Sequence, residues 1–265
     1  MSGCASYFFY PNRDITYTPD NFEVNYESRE ITSADNTKLF AWILYAKNPK
    51  ATIVYFHGNA GNISYFLPAY YWLPQRGFNV LAADYRGYGA SGGEASVEGA
   101  LLDVASAIKY AIKDQNLSKY PIVVLGQSLG GALSITAIAK NDLKTKISLL
   151  ITEGSFTSYE TIAKDVAKRR LLTYIAAPFL SNIVDRDLDP INNIEKLENL
   201  PILITHGDRD NLIPVSHARD LYDKAKEPKE LSVIFGGWHI NNYGQNSATR
   251  DKFAEKIYEK LGKTP

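Results

Sequence analysis

The sequence predicts an α/β fold, a mostly parallel sheet with helices on both faces. Short apolar, β-branched runs alternate along the chain with longer segments whose apolar residues recur at helical spacing. No Pro/Gly-rich linker, internal repeat or low-complexity segment divides the 265 residues, and a 45% hydrophobic content is ample for one core. Between Val123 and Ile135, "VVLGQSLGGALSI" places a serine between two glycines where a strand turns into a helix.

Residues 1–18 read as an N-terminal tether, with the domain over 19–265. The runs 22–31 and 38–45 read as strands around the polar turn 33–37, an antiparallel pair at one edge. Strands then fall at 51–56, 79–84, 121–125, 147–152, 201–205 and 231–235. Helices fall at 64–76, 97–114, 129–140, 216–225 and 249–261. A strand apolar on both faces needs a covering layer on each side, so the alternation implies parallel strands joined by crossover helices. The stretch 156–200 breaks the rhythm with two short helical patterns, including "LLTYIAAPFL". Inserted at the carboxyl end of the sheet, it would form a small lid over the place where such sheets bind ligands.

Lys plus Arg and Asp plus Glu are both 29, giving zero net charge, and no basic stripe points to a nucleic-acid partner. One cysteine excludes an intramolecular disulfide, and the four histidines have no Cys or His at metal-ligand spacing, so neither metal nor other cofactor is expected. No apolar stretch approaches the ~18–20 residues that span a bilayer as a helix. The opening "MSGCASYFFYP" resembles the end of a bacterial lipoprotein signal, although the apolar segment that precedes such a cysteine is not in this sequence. That reading makes Cys4 a lipid-bearing membrane tether and places the protein in the cell envelope. Its alternative is a frayed terminus on a cytoplasmic protein.

A tight strand-to-helix turn crowds its flanks, so Gly126 and Gly130 stand where side chains would clash and Ser128 is displayed between them. Serine is a weak nucleophile at neutral pH and needs a neighbouring base, itself oriented by a third group. Strand ends supply both. One strand runs into "HGDRDNLIP", with Asp208 and Asp210, and the last runs into "GGWHIN", with His239. The order Ser, Asp, His is that of the glycine-flanked serine elbow. His239 is the favoured base. His206 reads as a structural residue of its loop, and His217, at a helix start, as exposed. Asp210 lies farther along its loop than Asp208, which suits turn capping. Attack on a carbonyl leaves an oxyanion that two backbone N–H groups would hold. Leu129, directly after the serine at a helix N-terminus, offers one. The loop in "VYFHGNAGNI" offers Asn59 as the other, with His57 a structural histidine beneath it.

Taken in order, "HGNAGN", "DYRGYGASGG", "GQSLGG", "HGDRDNLIP" and "GGWHIN" resemble the α/β-hydrolase superfamily, specifically its small-lid serine hydrolases, over about residues 30–261. The resemblance implies an eight-stranded sheet, a triad of Ser128, Asp210 and His239, and acyl-enzyme chemistry. It departs at Trp238, where many relatives carry a small residue, and this side chain would narrow the site on that side. Tyr65 and Phe66 are candidate pocket residues in an otherwise core-packed aromatic series. The implied substrates are small-molecule or lipid acyl esters, thioesters, or acylated proteins. A peptidase-like amide hydrolase is the nearest alternative, and a noncatalytic binding protein or scaffold on the same fold is the alternative of another class.

Overall fold

The computed structural model describes residues 9–169, 184–240, 242–244 and 246–264. At one edge β1 (Tyr26–Thr32) and β2 (Lys38–Leu44) form an antiparallel hairpin, with Tyr26 opposite Leu44 and Thr32 opposite Lys38. The strands β3 (Ala51–Phe56), β4 (Phe78–Ala83), β5 (Ile122–Gln127), β6 (Leu149–Glu153), β7 (Ile202–Gly207) and β8 (Lys229–Ile234) run parallel. They complete one eight-stranded sheet in the order β1-β2-β4-β3-β5-β6-β7-β8, with β2 antiparallel to β4. The mostly parallel sheet is therefore as expected. β1 begins later than its apolar run suggests because Pro19–Phe22 wind into a 3-10 turn, proline supplying the fixed φ of a first helical position.

Successive strand side chains point to opposite faces, and β3 to β7, covered on both, are buried at every position. Val54 and Phe56 of β3 and Val124 of β5 enter one core, together with α2 (Val97–Lys113), α3 (Leu129–Lys140) and α5 (Ser216–Lys224). Ile53 and Tyr55, with Val123 and Leu125, enter the other, against α1 (Leu67–Tyr70) and α6 (Ser247–Lys260). The single helix expected over 64–76 is broken into α1 and a 3-10 turn, Leu73–Arg76. Each piece carries a proline in its first turn, and Pro74 has no N–H with which to continue α1.

In the expected insertion, α4 (Tyr159–Arg169) precedes the 3-10 turns Arg186–Leu188, Pro190–Asn192 and Ile194–Leu197, the last of which buries Ile194 and Leu197 in the α3 core. The "LLTYIAAPFL" segment lies outside the described residues, as does Cys4. From Phe9 onward the segment read as a tether is held against the domain, with Phe9 buried and packed edge-on to Tyr88. Among the described residues no helix is long and apolar enough to cross a membrane.

β3 lies between β4 and β5, so the chain leaves β3 toward one side of the sheet and leaves β5 toward the other. The loops at their carboxyl ends part there, opening the crevice in which open α/β sheets place their ligands. Ser128 follows β5 at that point.

Candidate active site

Ser128 has φ 53° and ψ −115°, a strained backbone for a residue with a side chain. Two glycines make the turn possible. A Cβ on Gly126 would come within 2.5 Å of the Gly130 carbonyl oxygen, and one on Gly130 within 2.3 Å of the Phe56 carbonyl oxygen. These obstacles are backbone atoms and cannot swing away. The Ser128 N–H donates to the Glu153 carbonyl at 2.7 Å, which fixes the turn against β6.

The Ser128 hydroxyl lies 3.0 Å from His239 Nε2, and His239 Nδ1 lies 2.7 Å from Asp210 Oδ2. A carboxylate oxygen accepts only, so Nδ1 carries the hydrogen and Nε2 presents a lone pair to the serine O–H. Asp210 is fixed from both ends. Its Oδ1 accepts the N–H groups of Leu212 and Ile213, each at 2.8 Å, and its Oδ2 lies 3.0 Å from His206 Nε2. Burial pushes its carboxyl upward, but hydrogen bonds from His206 and His239 outweigh that and hold it well below the usual carboxylate range. Asp208 turns away to accept the Gly236 N–H at 2.6 Å. The structure thus brings Ser128, His239 and Asp210 into one hydrogen-bonded line and leaves Asp208 outside it.

Leu129 opens α3, where the first backbone N–H groups have no intrahelical acceptor. The loop after β3 runs close by, since a Cβ on Gly58 would stand 3.5 Å from that of Ser128. The Asn59 side chain is fixed there, its Oδ1 accepting from the Tyr88 hydroxyl at 2.7 Å, the Tyr10 N–H at 2.9 Å and the Ala60 N–H at 2.9 Å. The N-terminal strand of chain continues across this loop. Asn62 Nδ2 donates to the carbonyls of Asn12 and Asp14, and the Thr16 N–H donates to Ser64 Oγ. Nothing in the periodicity of residues 9–16 signals this strap.

His57 is buried beneath the loop among Phe66, Tyr85 and Tyr88, the structural placement expected of it. His206 likewise serves its loop, with Nε2 2.8 Å from the Ile213 carbonyl. His217 corrects the expectation of exposure. It is buried, its Nδ1 accepting the Thr157 N–H at 3.1 Å while Nε2 faces Asp165 Oδ2 at 3.1 Å, because α4 folds back over the start of α5. Of the candidate pocket residues, Phe66 is buried and stacked on His57, whereas Tyr65 and Trp238 are about half exposed at 52% and 55%. Glu153 and Asn242, which no sequence motif singles out, are buried and join the serine strand to the histidine loop. The signal available for Glu153 was a charged residue closing an apolar strand. Among the described residues no cluster of His, Cys, Asp or Glu side chains is arranged to hold a metal ion.

Residues 47–186 match the family described as serine aminopeptidase, S33. The chain is 37% identical to the uncharacterized protein YfhR of Escherichia coli K12 over 259 residues, covering 96% of this chain and 86% of that protein. Among solved structures, the esterase Pf2001 of Pyrococcus furiosus superposes with a TM-score of 0.77 at 23% identity, covering 96% of this chain and 97% of that one. Est1E of Butyrivibrio proteoclasticus, with ferulic acid bound, gives a TM-score of 0.69 at 20% identity over 88% and 99% of the two chains.

Proposed function

Because this chain belongs to the serine aminopeptidase S33 family of hydrolases, within the α/β-hydrolase superfamily, we propose that it is a serine hydrolase cleaving carboxylic esters or thioesters through an acyl-enzyme intermediate. The observation that carries the reading is the line from Ser128 Oγ through His239 to Asp210, at 3.0 and 2.7 Å, with the serine in a strained turn. His239 Nε2 takes the hydroxyl proton as Oγ bonds to the substrate carbonyl carbon. Asp210 keeps the imidazole in the tautomer that can do so and stabilises the imidazolium that forms. The carbonyl oxygen becomes an oxyanion held by the Leu129 and Asn59 N–H groups, the first at the positive end of α3. Collapse breaks the bond to the leaving alcohol or thiol, which receives the proton from His239. Water, deprotonated by the same nitrogen, then cleaves the acyl-enzyme and restores the serine.

Exposed aromatic residues lie on two of the loops that carry this site. Tyr65 lies in the loop after β3 and Trp238 precedes the histidine, both exposed, and such aromatic surface suits an apolar acyl or alcohol group. Lipid acyl esters and acylated proteins are substrates of that class, and a lipidated Cys4 would tether the protein to a membrane. The intact mass of the native product tests the lipid. The amide-cleaving alternative rests on the family description alone.

The test of the function is labelling by a fluorophosphonate with peptide mapping, beside Ser128→Ala, followed by a length series of acyl esters set against aminoacyl amides. An adduct on Ser128 that the variant lacks, with esters turned over faster, supports the reading. Faster amide turnover assigns the peptidase alternative, and a folded protein without adduct or turnover favours a binding protein.

A further inference from the structure

The chemistry proposed above uses three side chains, yet a fourth buried group ties them together. Glu153 ends β6 and is only 3% exposed. Its Oε2 accepts from Gln127 Nε2 at 2.6 Å, and its Oε1 accepts from the Asn242 backbone N–H at 2.9 Å and from Asn242 Nδ2 at 3.2 Å. Gln127 immediately precedes Ser128 and is itself oriented, its Oε1 accepting from the buried Tyr55 hydroxyl. Asn242 closes the loop that carries His239, its Oδ1 accepting the Trp238 N–H at 2.8 Å and its Nδ2 donating to the Trp238 carbonyl at 3.0 Å.

We propose that Glu153 is a positioning residue that holds the His239 loop in register with Ser128, an inference that rests on the serine-hydrolase reading. One residue reaches both partners. Its main-chain carbonyl accepts the Ser128 N–H, one carboxylate oxygen holds the strand leading to Ser128, and the other holds the loop around His239. The next residue reinforces the contact, since a Cβ on Gly154 would lie 2.3 Å from the His239 carbonyl oxygen. The serine–histidine hydrogen bond joins residues 111 apart in sequence, so their alignment depends on such bridges. A buried carboxylate suits this task because both oxygens accept, and its hydrogen bonds from Gln127 and Asn242 all come from N–H donors. Misplacement of a reacting group by ~1 Å costs on the order of 100-fold in rate.

Substituting Glu153→Gln makes one of the two arms an N–H opposed to an N–H. If Gln127 flips to relieve the clash, the buried Tyr55 hydroxyl loses its acceptor instead. The double variant Gln127→Glu/Glu153→Gln transposes the carboxylate and restores every pairing. The carboxylate at 127 accepts from Tyr55 and from the new amide, whose oxygen accepts from Asn242.

The experiment measures kcat, KM and the fluorophosphonate labelling rate per folded molecule for the wild type, Ser128→Ala, Glu153→Gln, Asn242→Ala and the transposed double variant. Expected is a fall in kcat of roughly 10- to 100-fold in Glu153→Gln and Asn242→Ala with KM within about threefold, a parallel fall in labelling, and recovery to within about fivefold in the double variant. A purely structural role would lower the melting temperature and leave kcat per folded molecule unchanged. Ser128-dependent turnover that is undiminished in folded Glu153→Gln, or a folded double variant no faster than the single one, overturns the positioning role alone. Should Glu153→Gln not fold, Asn242→Ala, which keeps the Asn242 N–H on Glu153 but removes the side-chain bonds to Glu153 and Trp238, reads the loop side of the bridge, and undiminished kcat there overturns the positioning of that loop. Turnover that survives Ser128→Ala overturns the serine reading and this inference with it.

Discussion

Replacing Asp210 by asparagine changes one atom, and the structure dictates where that atom goes. Asp210 Oδ1 accepts two backbone N–H groups, from Leu212 and Ile213, so the asparagine oxygen must stay there. Its amide nitrogen then occupies the Oδ2 position, 2.7 Å from His239 Nδ1 and 3.0 Å from His206 Nε2. An N–H at that point forces His239 to accept at Nδ1 and to carry its hydrogen on Nε2, where it can no longer take the serine proton. Exchanging a charge-assisted hydrogen bond for opposed donors costs about 2 kcal/mol. Losing the carboxylate beside the imidazolium of the transition state costs about 3–4 kcal/mol at an effective dielectric near 20. Together these correspond to a fall in kcat of roughly 10⁴-fold. KM should be nearly unchanged, because the carboxylate faces His239 on the side away from Ser128. The assay is steady-state hydrolysis of an acyl ester, with Asp208→Asn as the comparison. Asp208 accepts one loop N–H from Gly236, which asparagine also does, so that variant should lose less than about tenfold. Asp210→Asn retaining more than about a tenth of wild-type kcat, or Asp208→Asn suffering the larger loss, would refute the tautomer argument.

The strain at Ser128 predicts that Ser128→Gly is more stable than Ser128→Ala by about 1 kcal/mol. Relief of a positive φ is worth about 1–3 kcal/mol, against about 0.4–1 kcal/mol for glycine's freer unfolded chain. Urea denaturation measures the difference, and an alanine variant that proves the more stable contradicts it. Arg86 is buried with hydrogen bonds to both oxygens of Asp103, so Asp103→Ala should destabilise the fold by about 3 kcal/mol, again read from urea midpoints. The stability margin of the wild type over Asp210→Asn should hold from neutral pH to about 5 and shrink below about 4. A carboxyl whose folded pKa is depressed contributes stability above its unfolded value and loses it as the pH falls through the folded one. Paired denaturation curves at stepped pH check the sign, and a margin that widens on acidification reverses it.

The sheet was legible because its signal is local and periodic. Doubly buried strands such as β3 and β5 are apolar at nearly every position, and crossover helices must repeat their apolar face every turn or so. Boundaries failed where one residue overrode the pattern. Pro74 ended the helix that the aromatic spacing over 64–76 suggested, and the turn at Pro19–Phe22 displaced the start of β1. The elbow was legible for a steric reason, since only glycine fits at 126 and 130 with backbone this close. His217 is buried against expectation because Asp165 of α4 and Thr157 of the loop before it, 52 and 60 residues away, cover it.

By itself, then, the sequence determined the alternation of strands and helices, the displayed serine and the order in which an acid and a base follow it, because each is written in spacing within a few residues. Tertiary structure alone decided that Asp208 turns to the Gly236 N–H, that the N-terminal strap and Tyr88 fix Asn59, and that Glu153 bridges serine strand and histidine loop. Those are hydrogen bonds between residues 26 to 89 apart in the chain. Such a bond constrains direction and distance in space and leaves no period in the sequence from which to read it.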